Sequence, residues 1–367
     1  MNKESHIKRI AFFIGSLTIG GVEKVLITYI NTLANKGFNV ACIVCNTSSL
    51  DTLLSDKVKL INLGVNRLRN SILPLSKVLS SNLFDIVVCS NIQTLFIYLV
   101  KKMTKSQFYI VTSHHFYCNN VETPFYYKIL LRFVYNRCDL VLAVSDGIKK
   151  ELIDVLRVNK QLIDILNNPI DIEYIFESSQ ETISIFGNNH NLKIVWVGRM
   201  NVVKNLELLI ETIVDLRNMY NNISLHLIGD GEDRGTLENY VKNRNASDYI
   251  FFYGIKKNPY PFINMSDIVV LSSSSEAYPT ILLEALCLGK TCVSTPTHGA
   301  KDILVNGKYG YISNSFTIAD FKEALEKAMN KRIDSELLIN YSRGFDKKEK
   351  VDKFIKLVSD LNNKLKV

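Results

Sequence analysis

Residues Ile268–Gly289 read I-V-V-L-S-S-S-S-E-A-Y-P-T-I-L-L-E-A-L-C-L-G. The apolar run Ile268–Leu271 predicts a buried strand. Four small residues then form a loop, Glu276 follows, and Pro279 stands at the first position of a helix over Thr280–Leu288. Free backbone N–H groups at such a helix start suit a phosphate. Glu284, in the first turns, can accept hydrogen bonds from a ribose diol, as acidic residues do in dinucleotide-binding folds. Glu276, in the loop, would face whatever hangs from the phosphate. Two ordinary surface glutamates are the competing reading, and the order of strand, small residues, acid, proline and helix weighs against it.

Working outward, the same alternation fills the chain. Strands are expected near Ile7–Ile14, Asn39–Cys45, Val58–Leu63, Ile86–Cys89, Phe108–Thr112, Leu140–Val144 and Leu162–Leu166, with helical patterns such as Val22–Asn35, Phe125–Arg137 and Gly147–Leu156 between them. After the polar stretch Ser178–Asn191 the pattern restarts with strands near Lys193–Val197, Ser224–Ile228, Ile250–Tyr253, Ile268–Leu271 and Thr291–Ser294. Unalternated apolar strands separated by helices predict parallel sheets covered on both faces. The expected fold is therefore α/β, with two Rossmann-like doubly wound domains, 1–170 and 171–345, facing across a cleft at the carboxyl ends of their strands. Asn168-Pro169 marks the boundary. Residues 346–367 form a helix with Val351, Phe354, Ile355, Val358 and Leu361 on one side, expected to pack back toward the first domain.

Composition is that of an ordinary globular protein with real cores: 367 residues, 47% hydrophobic and 22% charged. The longest apolar runs fall far short of the roughly 18 residues of a membrane span. Met1–Ser5 lead into no signal-peptide pattern, so a cytoplasmic location is expected. The seven cysteines are expected to be reduced, and Cys42-x-x-Cys45 lies in an apolar run that reads as a buried strand rather than a zinc site. The net charge of +8 is uneven: residues 1–168 hold 20 Lys and Arg against 11 Asp and Glu, and the remainder 24 against 25. A basic half fits an anionic partner, with nucleic acid and an anionic membrane surface as the candidates and a solvated lysine-rich face as the plain alternative.

A second constellation is Val195–Leu206, V-W-V-G-R-M-N-V-V-K-N-L. A strand ends at Gly198, Arg199 follows, and Lys204 precedes a helix. Two cations at the carboxyl end of a strand suit a diphosphate and would stabilise it as a leaving group.

Taken together, Gly198-Arg199 with Lys204, Gly229-Asp230-Gly231-Glu232, and Glu276 with Glu284 resemble the donor half of the family 4 glycosyltransferases of the GT-B fold. The resemblance runs over nearly the whole chain: Gly20-Gly21-Val22-Glu23, Val144-Ser145, Asn168-Pro169-Ile170-Asp171, Gly299–Leu304 and Gly307–Gly310 match as well. It implies that 1–170 is the acceptor domain and 171–345 the nucleotide-sugar domain. Arg199 and Lys204 would bind the diphosphate, Glu284 the ribose, and Glu276 the transferred sugar near its reacting carbon. Backbone amides of Ala277, Tyr278, Pro279 and Thr280 are expected around the sugar and distal phosphate, the base near Gly254-Ile255, and the loop at Gly20 and Gly21 against the phosphates. By the same resemblance His114, or second His115, at the end of a strand, lies close to the transferred sugar. The family retains anomeric configuration and needs no bound metal, and no D-x-D motif occurs here. Ala277 departs from the usual glycine, which leaves the donor sugar open.

The resemblance implies a retaining transfer of hexose or N-acetylhexosamine from a UDP-sugar to a glycan acceptor, with no cofactor. A nucleotide-sugar epimerase of similar shape and a non-catalytic partner subunit are the rival readings. Ile92–Lys105 and Phe125–Arg137 combine aromatic, apolar and basic residues and can lie on an anionic bilayer. With the basic half they point to a lipid-linked acceptor at the inner face of the plasma membrane and to no nucleic acid. Two other motifs fail: Gly15–Gly21 lacks the Lys-Ser/Thr of a phosphate-binding loop, and Gly229–Gly235 is one position too long for a dinucleotide fingerprint.

Overall fold

A computed structural model describes residues 7–15, 20–47, 52–118, 123–183 and 191–364, with side chains to Leu361. Met1–Ser5, residues 16–19 of the glycine segment and the Gly187–His190 loop lie outside the described residues. The chain divides into two units, Met1–Pro169 with Lys347–Val367, and Ile170–Asp346.

The first unit holds strands β1 (Arg9–Ile14), β2 (Asn39–Val44), β3 (Lys59–Asn62), β4 (Ile86–Ser90), β5 (Tyr109–His114), β6 (Leu140–Ala143) and β7 (Ile163–Ile165). Their order is β3-β2-β1-β4-β5-β6-β7, every pair parallel. Helices α1 (Gly21–Asn35), α2 (Ile72–Ser81), α3 (Gln93–Thr104), α4 (Phe125–Tyr135) and α5 (Asp146–Asp154) make the crossovers. The central strands are apolar because both faces are covered, and Ile10, Phe12, Val40, Cys42, Ile86 and Val88 all join one core, whereas the edge strand β3 is largely exposed. Asp85 sets where β1 begins: its Oδ2 accepts from the backbone N–H of Lys8 and Arg9, at 2.9 and 2.8 Å.

The second unit repeats the plan. It holds α6 (Ile172–Ser178), then β8 (Leu192–Val197), α7 (Leu206–Arg217), β9 (Ile223–Ile228), α8 (Arg234–Asn243), β10 (Ile250–Phe252), α9 (Tyr260–Asn264) and β11 (Ile268–Leu271). It continues with α10 (Thr280–Cys287), β12 (Thr291–Ser294), α11 (His298–Ile303), β13 (Tyr311–Ile312), α12 (Ile318–Asn330) and α13 (Ser335–Ser342). Strand order is β10-β9-β8-β11-β12-β13, again parallel. Asp267 repeats the role of Asp85, accepting from the backbone of Lys193 at 2.7 Å.

The last helix, α14 (Lys347–Lys364), belongs to the first unit although it follows the second in sequence. Val351, Phe354, Val358 and Leu361 enter the first unit's core. The Phe354 ring meets Tyr29 at 5.7 Å and Phe12 at 6.5 Å, and Lys36 pairs with Asp352 at 2.8 Å. Burying one such phenylalanine contributes about 1.5–3 kcal/mol, so the helix is held chiefly by its apolar stripe. All seven cysteines are buried and free of disulfides. Among the described residues no helix is long and apolar enough to cross a membrane.

Candidate active site

The candidate donor residues gather at the carboxyl ends of β8, β9, β10 and β11. The serine loop after β11 is fastened to the turn after β8. Ser274 N donates to Val203 O at 2.8 Å, and Ser272 Oγ donates to Lys204 O at 2.8 Å. Asn201 caps that turn, its Oδ1 accepting from Lys204 N. The loop is also tied from below, where Thr295 Oγ1 donates to Ser273 O at 2.5 Å. Small residues are needed here because their hydroxyls reach backbone carbonyls of a neighbouring loop.

This fastening brings Lys204 and Glu276 together. Lys204 Nζ lies 2.6 Å from Glu276 Oε1, and the same oxygen accepts from Ser273 Oγ at 2.7 Å. The two side chains are 25% and 13% exposed, so the pair is shielded enough to matter yet reachable. The sequence assigns these residues separate tasks; the structure makes them direct partners.

Gly299 presses on the same loop. Its N–H donates to Glu276 O at 3.0 Å, and a side chain there would place a Cβ 2.6 Å from the Ala277 carbonyl carbon. The first turn of α11, capped by Thr297, therefore fixes the Glu276-Ala277 peptide. Ala277, Tyr278 and Pro279 are buried, and Thr280 is half-buried. Pro279 occupies the cap of α10 rather than its first helical position, and no side chain caps that helix.

Glu284, on α10, is buried. Its charge lies close enough to Tyr260 and Cys287 to add to the effect of burial, which pushes the Cys287 thiol up to about 12 and the Tyr260 phenol higher still. Tyr174 packs edge-on against Tyr260 at 6.0 Å.

Arg199 is largely exposed and pairs at 3.2 Å with Glu232, the last residue of the Gly229-Asp230-Gly231-Glu232 motif. The loops bearing them run side by side: Gly198 N donates to Ile228 O and Met200 N to Asp230 O. Gly229, at φ +137°, lies directly against Gly198 O and leaves no space for a side chain. Beyond it, Gly229 N donates to Gly254 O at 2.9 Å, and Ile255 is 60% exposed next to it. Arg234, held by Asp230 at 2.9 Å and Glu238 at 2.7 Å, comes up under Gly254.

The remaining expected residues belong to the first unit. Gly20 caps α1 in an extended conformation that any residue adopts, so its backbone needs no glycine; the Glu23 carboxylate occupies the space a side chain would take. His114 departs from expectation. It is fully buried as the last residue of β5, with Nδ1 2.9 Å from Tyr135 Oη and Nε2 3.7 Å from Cys118 Sγ. Burial pushes it down to about 3. His115 is the partly exposed member of the pair, bonded to Ser113 Oγ at 2.8 Å.

Two tandem Rossmann-like units, each a parallel sheet covered by helices, fit the GT-B fold. The family model for glycosyl transferases group 1 matches residues 180–345, and that for glycosyltransferase family 4 matches residues 19–174. The chain belongs to the GT-B glycosyltransferases of this family and is an enzyme of that class. It is 26% identical over 347 residues to the lipopolysaccharide 1,6-galactosyltransferase of Escherichia coli, covering 90% of this chain and 91% of that one. It is 25% identical over 376 residues to an α-1,4-N-acetyl-D-galactosaminyltransferase of Campylobacter jejuni named for an undecaprenol-linked substrate, covering 97% and 99%. A match at 26% identity to the N-acetyl-alpha-D-glucosaminyl L-malate synthase of Bacillus anthracis spans 65% of this chain and 62% of that protein. Among solved structures, HepE of Anabaena in complex with UDP superposes with a TM-score of 0.82 at 15% identity, covering 96% and 100%.

Proposed function

We propose that the enzyme moves a hexose or N-acetylhexosamine from a UDP-sugar, with retention and without a bound metal, to a lipid-linked glycan of a surface polysaccharide. The observation that carries this is the Lys204–Glu276 pair fastened by Ser273 beside the start of α10. A donor diphosphate takes the Lys204 ammonium as its counter-charge, with Arg199 reaching in from the surface. Stabilising the charge that develops on a leaving group is the main task of such a site. Glu276, released toward the sugar, accepts its hydroxyls, and the N-terminal amides of α10 hold the distal phosphate. Glu284 accepts from the ribose. Of the two histidines, His115 is half-buried where His114 is fully buried, and it is the one better placed to meet substrate.

The acceptor reading draws on relatives named for lipopolysaccharide and undecaprenol-linked glycans. It also draws on α4, where Phe125, Tyr126, Ile129 and Phe133 are 77%, 71%, 52% and 43% exposed on one helical face. Arg137 stacks on Phe133 at 3.7 Å, and Lys102 lies over Tyr98, which meets Phe133 edge-on. Exposed aromatics bordered by cations suit the interface of an anionic bilayer.

Calorimetry with UDP tests the donor assignment: Glu284→Gln should weaken binding about tenfold or more, the cost of one charged hydrogen bond. Equal affinity for both proteins would remove Glu284 from the site. Proton NMR of the product from an α-linked donor should show the α anomer first; a β product would overturn retention.

A further inference from the structure

The segment Glu276–Tyr278 is gripped at two points, and both grips lead to Tyr341 and Phe345 near the end of the second unit. One grip is apolar. The buried Tyr278 ring packs against the buried Phe345 ring, with centroids 6.4 Å apart and planes tilted by 56°. Phe345 in turn meets Tyr341 edge-on at 5.3 Å. Its backbone is held as well, since Ile170 N donates to Phe345 O at 2.9 Å. The other grip is polar. Tyr341 Oη donates at 2.9 Å to the carbonyl of Ile303, the last residue of α11. The first turn of that same helix holds Glu276 O through Gly299 N at 3.0 Å. Tyr341 itself lies flat on Tyr309 at 3.6 Å.

We propose that Tyr341 and Phe345 are positioning residues for the donor loop: they hold α11 and Tyr278 so that the Glu276 carboxylate stays on Lys204. The inference rests on the reading of the Lys204–Glu276 pair as the donor site. Three features support it. First, the two grips bracket Ala277, one on the Glu276 carbonyl and one on the Tyr278 ring, so the short loop between them has little room to swing. Second, the contacts are directional. Tilted and edge-on ring pairs have a preferred geometry that aliphatic packing lacks. Burial also pushes the Tyr341 phenol up to about 12, so it keeps the proton it donates to Ile303. Third, the geometry being held is narrow. Lys204 Nζ and Ser273 Oγ meet one Glu276 oxygen at 2.6 and 2.7 Å, and a displacement of about 1 Å at such a site can cost about 10²-fold in rate. Neither Tyr341 nor Phe345 is charged at neutral pH, so both act through the loop rather than on the diphosphate.

The test uses the full chain, a panel of UDP-hexoses and UDP-N-acetylhexosamines, and an assay temperature below the onset of melting. Phe345→Leu and Tyr341→Phe should each lower kcat for UDP release about tenfold. Their affinity for UDP in calorimetry should stay within about twofold of wild type, because Lys204 and Glu284 are kept. Phe321→Leu removes a fully buried ring from the core of the same unit and is the stability control. It should lower the melting temperature at least as far and leave kcat within about twofold. Wild-type turnover by both Phe345→Leu and Tyr341→Phe overturns the proposal. So does a loss of turnover that Phe321→Leu shares, or one matched by an equal loss of UDP affinity, since either marks a general loosening of the unit. A wild type that neither binds UDP nor releases it from any donor overturns the reading of the site itself, and the positioning role with it.

Discussion

Lys204 Nζ lies 2.6 Å from Glu276 Oε1, across 72 residues of sequence. Each residue carries the other's counter-charge where the donor is expected to bind. Lys204→Ala and Glu276→Ala should each lower kcat/KM by about 10²–10³-fold, the cost of losing one preorganised charge contact. Because the two act on one substrate through one contact, the double variant should lose much less than the product of the single losses. Multiplicative losses in steady-state kinetics would show that they act independently.

Gly299→Ala should impair turnover without touching any charged group. The new Cβ would meet the Ala277 carbonyl carbon at 2.6 Å, so the Glu276 loop must shift. A destabilisation of about 1–3 kcal/mol is expected in denaturant titration, as for overpacking. The kcat should fall more than the KM rises. Gly235→Ala, with nothing within 4 Å of its Cβ, is the control and should leave both near wild type.

The stability of the second unit should fall with acid. His226 is buried on β9, bonded to Ser224 Oγ and Tyr253 Oη at 2.9 Å each. Burial, helped by Lys193, pushes it from 6.5 down to about 4. The unfolded chain therefore binds the extra proton between pH 6.5 and 4. Its contribution is complete above about 6.5 and is lost as pH falls through that window. The full loss is on the order of 3 kcal/mol, the equivalent of the shift. His226→Gln should flatten the dependence of unfolding free energy on pH between 6.5 and 4; an unchanged slope would assign the acid sensitivity elsewhere.

Replacing Phe125, Tyr126 and Phe133 by serine should release the enzyme from vesicles. These side chains are exposed, so folding should change little. Sedimentation with vesicles rich in phosphatidylglycerol should capture the wild type, weaken with added salt, and fail for the triple variant. Equal capture of both would place the membrane contact elsewhere.

The fold was legible because parallel strands buried on both faces leave uninterrupted apolar runs. Ile268–Leu271 and Thr291–Ser294 have the bounds that the sequence predicts. The two-residue β13 was not, since a half-buried pair, Tyr311-Ile312, carries no period. The acidic and basic candidate donor residues stand out in the sequence by type and spacing. Their mutual arrangement does not: the Lys204–Glu276 pair and the contact of Gly299 with Ala277 depend on loops that only the sheet order brings together. His114 shows the same limit. Its place at the end of a strand suggests access, and only packing against Tyr135 and Cys118 makes it internal.

On the proposed function, the Lys204–Glu276 site activates a UDP-sugar. Its most direct test needs no acceptor: release of UDP from a panel of UDP-hexoses and UDP-N-acetylhexosamines, comparing wild type with Glu276→Ala and Lys204→Ala. The wild type should hydrolyse at least one donor slowly, and neither folded variant should do so above background. Hydrolysis at the wild-type rate by both variants would contradict it.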